Sequence, residues 1–202
     1  MSAHSLLAGR VDALVIGASA GGVEALSLLL TALPATLSFP VFIVLHMPRD
    51  RPSLLAPLFG PRCVVPIREA EDKEPVVPGT VYFAPPDYHL LLDAGPVLAL
   101  SVDDPVNYSR PSIDVLFESA SDLYGTRLAG MILTGANEDG ATGLAAVRDA
   151  GGVTIVQDPD TAFAATMPAA ALRRGAADFI LPLAGIADLL RTLEQGNQRT
   201  VG

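Results

Sequence analysis

The chain alternates short apolar runs with longer segments of helical periodicity, and this alternation narrows the possible folds to a few. The runs at 12–16, 40–45 and 129–133 are apolar almost from end to end. A strand that is apolar on both faces is typical of a parallel sheet with helices packed against each side. The sequence therefore predicts an α/β fold: a single-domain, doubly wound, mostly parallel sheet with helices on both faces.

The remaining elements follow the same pattern. Further strands are predicted at 62–68, 80–84, 154–156 and 178–181, and helices at 21–33, 112–124, 141–150, 168–174 and 186–194. Two more apolar runs, 89–92 and 97–102, are separated by four turn-forming residues that include Asp93 and Gly95. They are predicted to pair as an antiparallel β-hairpin added to the main sheet.

Composition and charge exclude several classes of function. A chain of 202 residues fits one domain, predicted over 11–194 between an N-terminal tail, 1–10, and a C-terminal tail, 195–202. The formal net charge of −9, with only 13 lysines and arginines, disfavours a nucleic-acid partner. No apolar window approaches the roughly 18 residues of a membrane helix, and the start of the chain lacks the layout of a signal peptide. We therefore expect a cytoplasmic protein with no direct membrane insertion.

The single cysteine, Cys63, rules out an internal disulfide and a cysteine-rich metal site. It lies in the apolar run 63–67, so we predict a buried core thiol. A lone thiol is compatible with a reducing cytoplasm.

Residues 17–22, Gly-Ala-Ser-Ala-Gly-Gly, follow the first predicted strand and match the pattern G-x-S-x-G. In a strand–turn–helix context such a turn exposes the serine hydroxyl, here that of Ser19, and offers backbone N–H groups to a developing oxyanion. The alternative interpretation is a serine that caps the following helix.

The same glycines could form a nucleotide-binding loop, but the rest of the chain does not support one. Their spacing does not fit G-x-G-x-x-G, and the only lysine is Lys73, in the acidic loop at 69–79. A phosphate-binding loop and a Tyr-x-x-x-Lys pair both need a lysine that this chain lacks. A nucleotide-dependent oxidoreductase is therefore disfavoured.

A serine nucleophile needs a base, and the chain has three histidines. His4 precedes the predicted domain and His89 begins a hairpin strand, whereas His46 follows the second predicted parallel strand. Functional groups of a parallel α/β sheet gather at the carboxyl ends of its strands. His46 is therefore the candidate base, with a structural histidine at a strand end as the alternative.

A third group is expected to orient the imidazole, and an acidic residue suits that role. The loop after the strand at 129–133 contains Glu138 and Asp139. Asp139 precedes a predicted helix, so a simple helix N-cap would also explain it. Spacing alone does not exclude Glu138.

Several ordered motifs together make the chain similar to the catalytic domain of the CheB chemotaxis methylesterases, from residue 11 to about 190. They are VIGASAGGVEAL at 15–26, HMP at 46–48, PGTVYFAP at 78–85, RPSIDVLF at 110–117, DGA at 139–141, QD at 157–158 and MP at 167–168.

The resemblance implies a triad of Ser19 as nucleophile, His46 as general base and Asp139 as the partner of the imidazole. It implies hydrolysis of glutamate γ-methyl esters on the cytoplasmic helices of chemotaxis receptors, with methanol as product and no metal or organic cofactor. Receptor glutamine deamidation is the same acyl transfer with ammonia leaving.

Substrate or oxyanion contacts are expected near the same turn and the loop of Asp139. Backbone N–H groups near Ala20 and Ala136 are the expected oxyanion donors, and Gly21 and Met167 are further candidates.

Three departures from the family bear on regulation and substrate. Its best-known members carry an N-terminal receiver domain, and this chain begins about ten residues before its first predicted strand. We therefore expect constitutive activity, a separate regulatory partner, or a fragment of a longer protein. The usual family loop Thr-Gly-Met-Gly-Asn-Asp-Gly is Thr-Gly-Ala-Asn-Glu-Asp-Gly here, at 134–140, and the segment 161–166 also differs. Two alternatives stay open: a catalytically silent binding module, and an esterase acting on another ester.

Overall fold

The structure, a computed structural model, describes residues 10–47 and 53–192. Its centre is a sheet of seven parallel strands, which are β1 (Ala13–Ala18), β2 (Val41–Leu45), β3 (Ile67–Glu69), β4 (Val81–Phe83), β7 (Leu128–Ile132), β8 (Val153–Gln157) and β9 (Phe179–Leu181). Their order in the sheet is β3-β4-β2-β1-β7-β8-β9.

Helices cover both faces of the sheet, which confirms the predicted doubly wound architecture. The helices are α1 (Gly22–Leu30), α2 (Leu55–Phe59), α3 (Ile113–Tyr124), α4 (Ala141–Asp149), α5 (Thr166–Arg173) and α6 (Leu183–Arg191). In β1, Leu14 and Ile16 join the core cluster that contains α1, α2 and α6, whereas Val15 joins the cluster that contains α3, α4 and α5. Successive side chains of a strand point to opposite faces of the sheet, and helices cover both faces, so the side chains on both sides of β1 are buried.

The predicted antiparallel hairpin is also present, as β5 (His89–Asp93) and β6 (Val97–Ser101). Leu90 and Leu98 of the hairpin are buried in the same cluster as α3. The backbone N–H of Lys73 donates to the carbonyl of Leu98, so the acidic loop before β4 is attached to the hairpin edge.

Two local predictions were wrong, and one short helix was missed. The run predicted as a strand at 62–68 is extended only at Ile67–Glu69, because Pro61 and Pro66 lack the N–H groups that a strand ladder needs. The short helix Leu55–Phe59 was not predicted. Cys63 is only partly buried, packing on the edge of the core rather than within it.

The predicted tails, 1–10 and 195–202, lie almost wholly outside the described residues, as do His4, Pro48 and the end of the last predicted helix. Among the residues that are described, no helix is long and apolar enough to cross a membrane.

Helices α3 and α4 approach each other so closely that only glycine fits at position 143. A Cβ atom there would lie 2.6 Å from Phe117 Cβ and 2.9 Å from Asp114 Cα, and the N–H of Gly143 donates to Asp114 Oδ1 at 2.6 Å. We expect Gly143→Ala to lower the free energy of unfolding by up to about 2 kcal/mol, because an overpacking cost of about 1–3 kcal/mol is only partly offset by a gain of about 1 kcal/mol in helix propensity.

Denaturant unfolding measures this change, and Gly185→Ala is the matched control. Gly185 lies in α6, and a Cβ atom there would meet only ordinary contacts, the nearest at 3.5 Å from Pro182. The control should therefore leave stability unchanged or slightly raised. Equal stability of the two variants would contradict close packing of α3 on α4.

Candidate active site

The three residues predicted to act together follow three neighbouring strands. Ser19 comes directly after β1, His46 directly after β2, and Asp139 lies in the loop that follows β7. These strands are adjacent and parallel, in the order β2-β1-β7, so the three residues meet at one edge of the sheet. Ser19 and His46 line a cleft of about 200 Å³ together with Asn137.

The turn that carries Ser19 is held by bonds to the loop after β7. The N–H of Ser19 donates to the carbonyl of Thr134 at 3.0 Å, and Thr134 Oγ1 donates to the carbonyl of Ala20 at 2.8 Å. Gly21 has a φ of +78°, a left-handed conformation that glycine adopts without strain, and it is the N-cap of α1 with no side-chain capping bond. Ser19 is therefore not the capping serine of the alternative interpretation.

His46 is paired with Asp139. Its Nε2 lies 2.9 Å from Asp139 Oδ2, and its side chain is largely buried. An ionised carboxylate only accepts hydrogen bonds, so Nε2 carries the proton and Nδ1 carries the lone pair. Nδ1 lies 3.3 Å from Asn137 Nδ2, and no hydrogen bond joins it to Ser19 Oγ in the described part of the chain.

Asp139 is fully buried and receives hydrogen bonds from five groups. The donors are His46 Nε2, Asn107 Nδ2, Ser112 Oγ and the backbone N–H groups of Ile113 and Asp114. Two of these N–H groups belong to the first turn of α3, where a negative charge is favoured. Burial would raise the pKa of Asp139, but the bonds from His46, Asn107 and Ile113 outweigh it and hold that pKa below its ordinary value. Asp139 is therefore ionised at neutral pH.

A second buried carboxylate, that of Asp114, lies beside Asp139. Asn107 joins the two, because its Nδ2 lies 2.8 Å from Asp114 Oδ2 and 3.0 Å from Asp139 Oδ1. Burial raises the pKa of Asp114, and the charge of Asp139 raises it further, against the bond from the N–H of Gly143. Neither Asn107 nor Asp114 was singled out from the sequence as part of the site.

The two rival residues have other partners. Glu138 points outward and pairs with Arg173, at 2.6 Å, so it does not reach His46. His89 is buried, with Nδ1 accepting from the N–H of Ser112 at 3.2 Å and Nε2 donating to the carbonyl of Asp104 at 3.2 Å. Both ring nitrogens of His89 are thus committed to the fold.

Three backbone N–H groups beside the cleft remain available to a ligand. Those of Ala20, Gly21 and Ala136 donate to no acceptor within the described residues, whereas the N–H of Gly135 donates to the carbonyl of Ala164. Met167 has no exposed surface and lies under Gly135, where a Cβ would come within 2.5 Å of its Cε. The side chain of Met167 therefore supports the loop and does not line the cleft, contrary to the prediction of a substrate contact.

The arrangement can perform acyl transfer with side chains and backbone groups alone. It combines a partly exposed hydroxyl, an imidazole held in one tautomer by a buried carboxylate, and free N–H groups at the start of α1. Within residues 10–47 and 53–192, no group of three histidine, cysteine, aspartate or glutamate side chains is placed to hold a metal ion.

The family model and the relatives that this chain matches all belong to one family. The CheB methylesterase family model matches residues 14–190. A Leptospira interrogans protein assigned protein-glutamate methylesterase and protein-glutamine glutaminase activities is 45% identical over 186 residues, which cover 92% of this chain and 96% of that protein. A Caulobacter vibrioides protein named for the same two activities is 40% identical over 180 residues, 87% of this chain and 52% of its own length.

A solved structure agrees with these sequence matches. The crystal structure of the Thermotoga maritima CheB methylesterase catalytic domain superimposes with a TM-score of 0.86 at 35% identity. The match covers 91% of this chain and 98% of that domain.

Proposed function

The chain belongs to the CheB methylesterase family, and we propose that Ser19, His46 and Asp139 are the nucleophile, general base and orienting acid of a protein-glutamate methylesterase. One observation carries the assignment of residues. His46 Nε2 lies 2.9 Å from the buried carboxylate of Asp139, and the same imidazole lines the cleft that contains Ser19.

The first half of the reaction forms an acyl-enzyme. Ser19 Oγ bonds to the ester carbonyl carbon while its proton passes to Nδ1 of His46, and the carbonyl electron pair moves to the oxygen. The N–H groups of Ala20, Gly21 and Ala136 are free to donate to that oxygen. When the carbonyl re-forms, the bond to the methoxy oxygen breaks, and Nδ1 returns the proton to release methanol.

The second half hydrolyses the acyl-enzyme by the same steps. Water takes the place of methanol, and its oxygen bonds to the acyl carbon while Nδ1 of His46 takes one of its protons. The bond from that carbon to Ser19 Oγ then breaks, Nδ1 returns the proton to Oγ, and the free glutamate is released. Asp139 stays ionised throughout and offsets the positive charge of the imidazolium. Deamidation of a receptor glutamine uses the same sequence with ammonia as the leaving group.

The shape of the site favours an ester displayed on a protein surface. The cleft is small, about 200 Å³, and its rim carries Tyr108 and Met47, whose side chains are 99% and 40% exposed. Exposed apolar groups around a small polar cleft suit a partner that contacts the rim while one side chain enters. We propose the cytoplasmic helices of a methyl-accepting chemotaxis receptor as that partner, with a separate regulatory protein as a further one.

Methanol release from a receptor fragment that carries γ-methyl glutamate tests the proposed function. The enzyme should release methanol and produce an equal amount of free glutamate. A small methyl ester, such as N-acetyl-glutamate γ-methyl ester, is the comparison substrate. Much faster turnover of the receptor fragment supports a protein substrate, whereas similar kcat/KM values for the two would favour an esterase with another substrate. A folded protein that binds the receptor fragment and releases nothing would be a silent binding module.

A further inference from the structure

The side-chain amide of Asn137 occupies the active-site cleft in a fixed orientation. Its Oδ1 accepts a hydrogen bond from the N–H of Asp139 at 3.3 Å. This contact identifies the oxygen, because a backbone N–H can only donate. The opposite end, Nδ2, therefore points to its two other neighbours, His46 Nδ1 and Ser109 Oγ, each 3.3 Å away.

The contact between Asn137 and His46 depends on the protonation of the imidazole. With Nε2 bonded to Asp139, the neutral ring has a lone pair on Nδ1, and this lone pair accepts the bond from Asn137 Nδ2. Once Nδ1 has taken the proton of Ser19, both Nδ1 and Nδ2 are donors and cannot bond to each other. The Ser19 hydroxyl must take the place of Asn137 on this lone pair before its proton can pass, so Nδ2 is without its acceptor when the substrate oxygen becomes negative.

We propose that Asn137 Nδ2 is a side-chain donor to the oxyanion, displaced from the lone pair of His46 by the Ser19 hydroxyl and kept off it by the proton transfer that creates that oxyanion. The proposal rests on the proposed function and adds a catalytic residue to it. The proton moves from Ser19 Oγ to His46 Nδ1, the new bond joins Oγ to the carbonyl carbon, and the carbonyl electron pair becomes the acceptor for Asn137 Nδ2. When the oxyanion collapses and Nδ1 gives up its proton, Nδ2 returns to the lone pair of His46.

Three properties of Asn137 suit this role. It lines the same cleft as Ser19, so its amide shares the space that the reacting group enters. Its bond from Asp139 N–H holds the amide in place, which removes part of the cost of orienting a donor. It also follows Ala136, whose free N–H is a candidate donor, so backbone and side-chain donors come from one loop.

Asn137→Leu tests the proposal, because leucine has a similar size and cannot donate. We expect kcat for methanol release to fall at least about 10-fold with KM nearly unchanged, somewhat less than the 10²–10³ typical of an oxyanion-hole donor since backbone donors remain. Binding of a boronic acid that forms a tetrahedral adduct on Ser19 should weaken by a similar factor. This second readout is specific to the proposed role. A donor to the tetrahedral species stabilises both the transition state and the boronic acid adduct, so kcat/KM and the affinity for the boronic acid should fall together.

Two outcomes would overturn the inference. If Asn137 merely occupies the lone pair of His46 in the resting enzyme, Asn137→Leu will keep or raise kcat and leave boronic acid affinity unchanged. If its role is only structural, the loss of kcat will follow a loss of thermal stability, and boronic acid affinity will not follow kcat/KM. The Ser19→Ala variant separates these results from failure of the proposed function, which would appear as turnover in the wild type that does not depend on Ser19.

Discussion

Methanol release should fall by about 10⁴- to 10⁶-fold when Ser19 is replaced by alanine, because alanine has no oxygen with which to form the acyl-enzyme. The remaining rate would come from substrate binding and the backbone donors at Ala20 and Ala136, which the substitution does not alter. Steady-state release from the methylated receptor fragment measures the change. Mass spectrometry of a rapidly quenched reaction should detect the acyl adduct on the wild type alone.

Loss of folding should not explain the result. The Ser19 hydroxyl is partly exposed and forms no hydrogen bond with another described residue, so Ser19→Ala should melt at the wild-type temperature. Ser38→Ala is the matched control, since Ser38 is exposed at the opposite edge of the sheet, beside the start of β2. The control should keep the full rate. Methanol release by Ser19→Ala at the rate of the control would show that Ser19 is not the nucleophile.

Local features of the sequence mark Ser19, His46 and the loop of Glu138 and Asp139, and the family resemblance then selects Asp139. Ser19, His46 and Asp139 each follow an apolar run, and parallel strands bring their carboxyl ends to one edge. The same alternation of runs predicted the helices on both faces. The prediction failed at 62–68. The apolar side chains of this run favoured a strand, but Pro61 and Pro66 prevent a continuous ladder of backbone hydrogen bonds.

The groups that support Asp139 could not be predicted in the same way. Asn107 and Ser112 reach this carboxylate from 32 and 27 residues away, through the packing of the start of α3 against the loop after β7. No periodicity or spacing encodes such contacts. Asn107 carries a weak local signal, since its φ of +51° is one that asparagine tolerates better than most residues, but that signal indicates a turn and not a partner.

The orientation of His46 and the role of Met167 also depend on tertiary packing, which the local sequence does not reveal. Which ring nitrogen faces Asp139 depends on how β2 and the loop after β7 are placed, and the structure puts Nε2 there. Met167 belongs to a motif near the cleft, yet the absence of a Cβ at Gly135 lets its side chain pack beneath the loop. Proximity to a motif was therefore a poor guide to which atoms contact a substrate.

Asp139→Asn should lower kcat by about 10⁴-fold while the protein stays folded, because a neutral amide either imposes the wrong tautomer on His46 or fails to offset the charge of the imidazolium. Asp139 Oδ2 now accepts from His46 Nε2, which leaves the lone pair on Nδ1. An amide nitrogen in the place of Oδ2 would donate to Nε2 and face the N–H of Ile113, so the ring proton would move to Nδ1, which could then no longer accept the proton of Ser19. An amide nitrogen in the place of Oδ1 would face Asn107 Nδ2 and leave a neutral oxygen at Oδ2, which no longer offsets the positive charge of the imidazolium.

Stability should change in a pH-dependent way in the same variant. The folded pKa of Asp139 lies below its unfolded value, so this carboxylate stabilises the native state above the unfolded pKa, and the contribution is lost as pH falls through the folded pKa. Asp114 has the opposite sign, since its raised pKa favours the native state as pH falls. As the pH falls below about 4, Asp139→Asn should therefore lose less of its free energy of unfolding than the wild type does, as followed by denaturant unfolding.

Glu138→Gln is the control that separates this local effect from a general change in charge. It removes one negative charge from the adjacent residue, but Glu138 is exposed, pairs with Arg173 and does not contact His46. Its kcat and its acid unfolding should match the wild type, because an exposed ion pair contributes only about 0–1 kcal/mol. If Asp139→Asn instead retained the wild-type kcat, the proton on Nε2 would not matter to catalysis. Nδ1 would then not be the base, and the displacement of Asn137 from its lone pair would lose its basis as well.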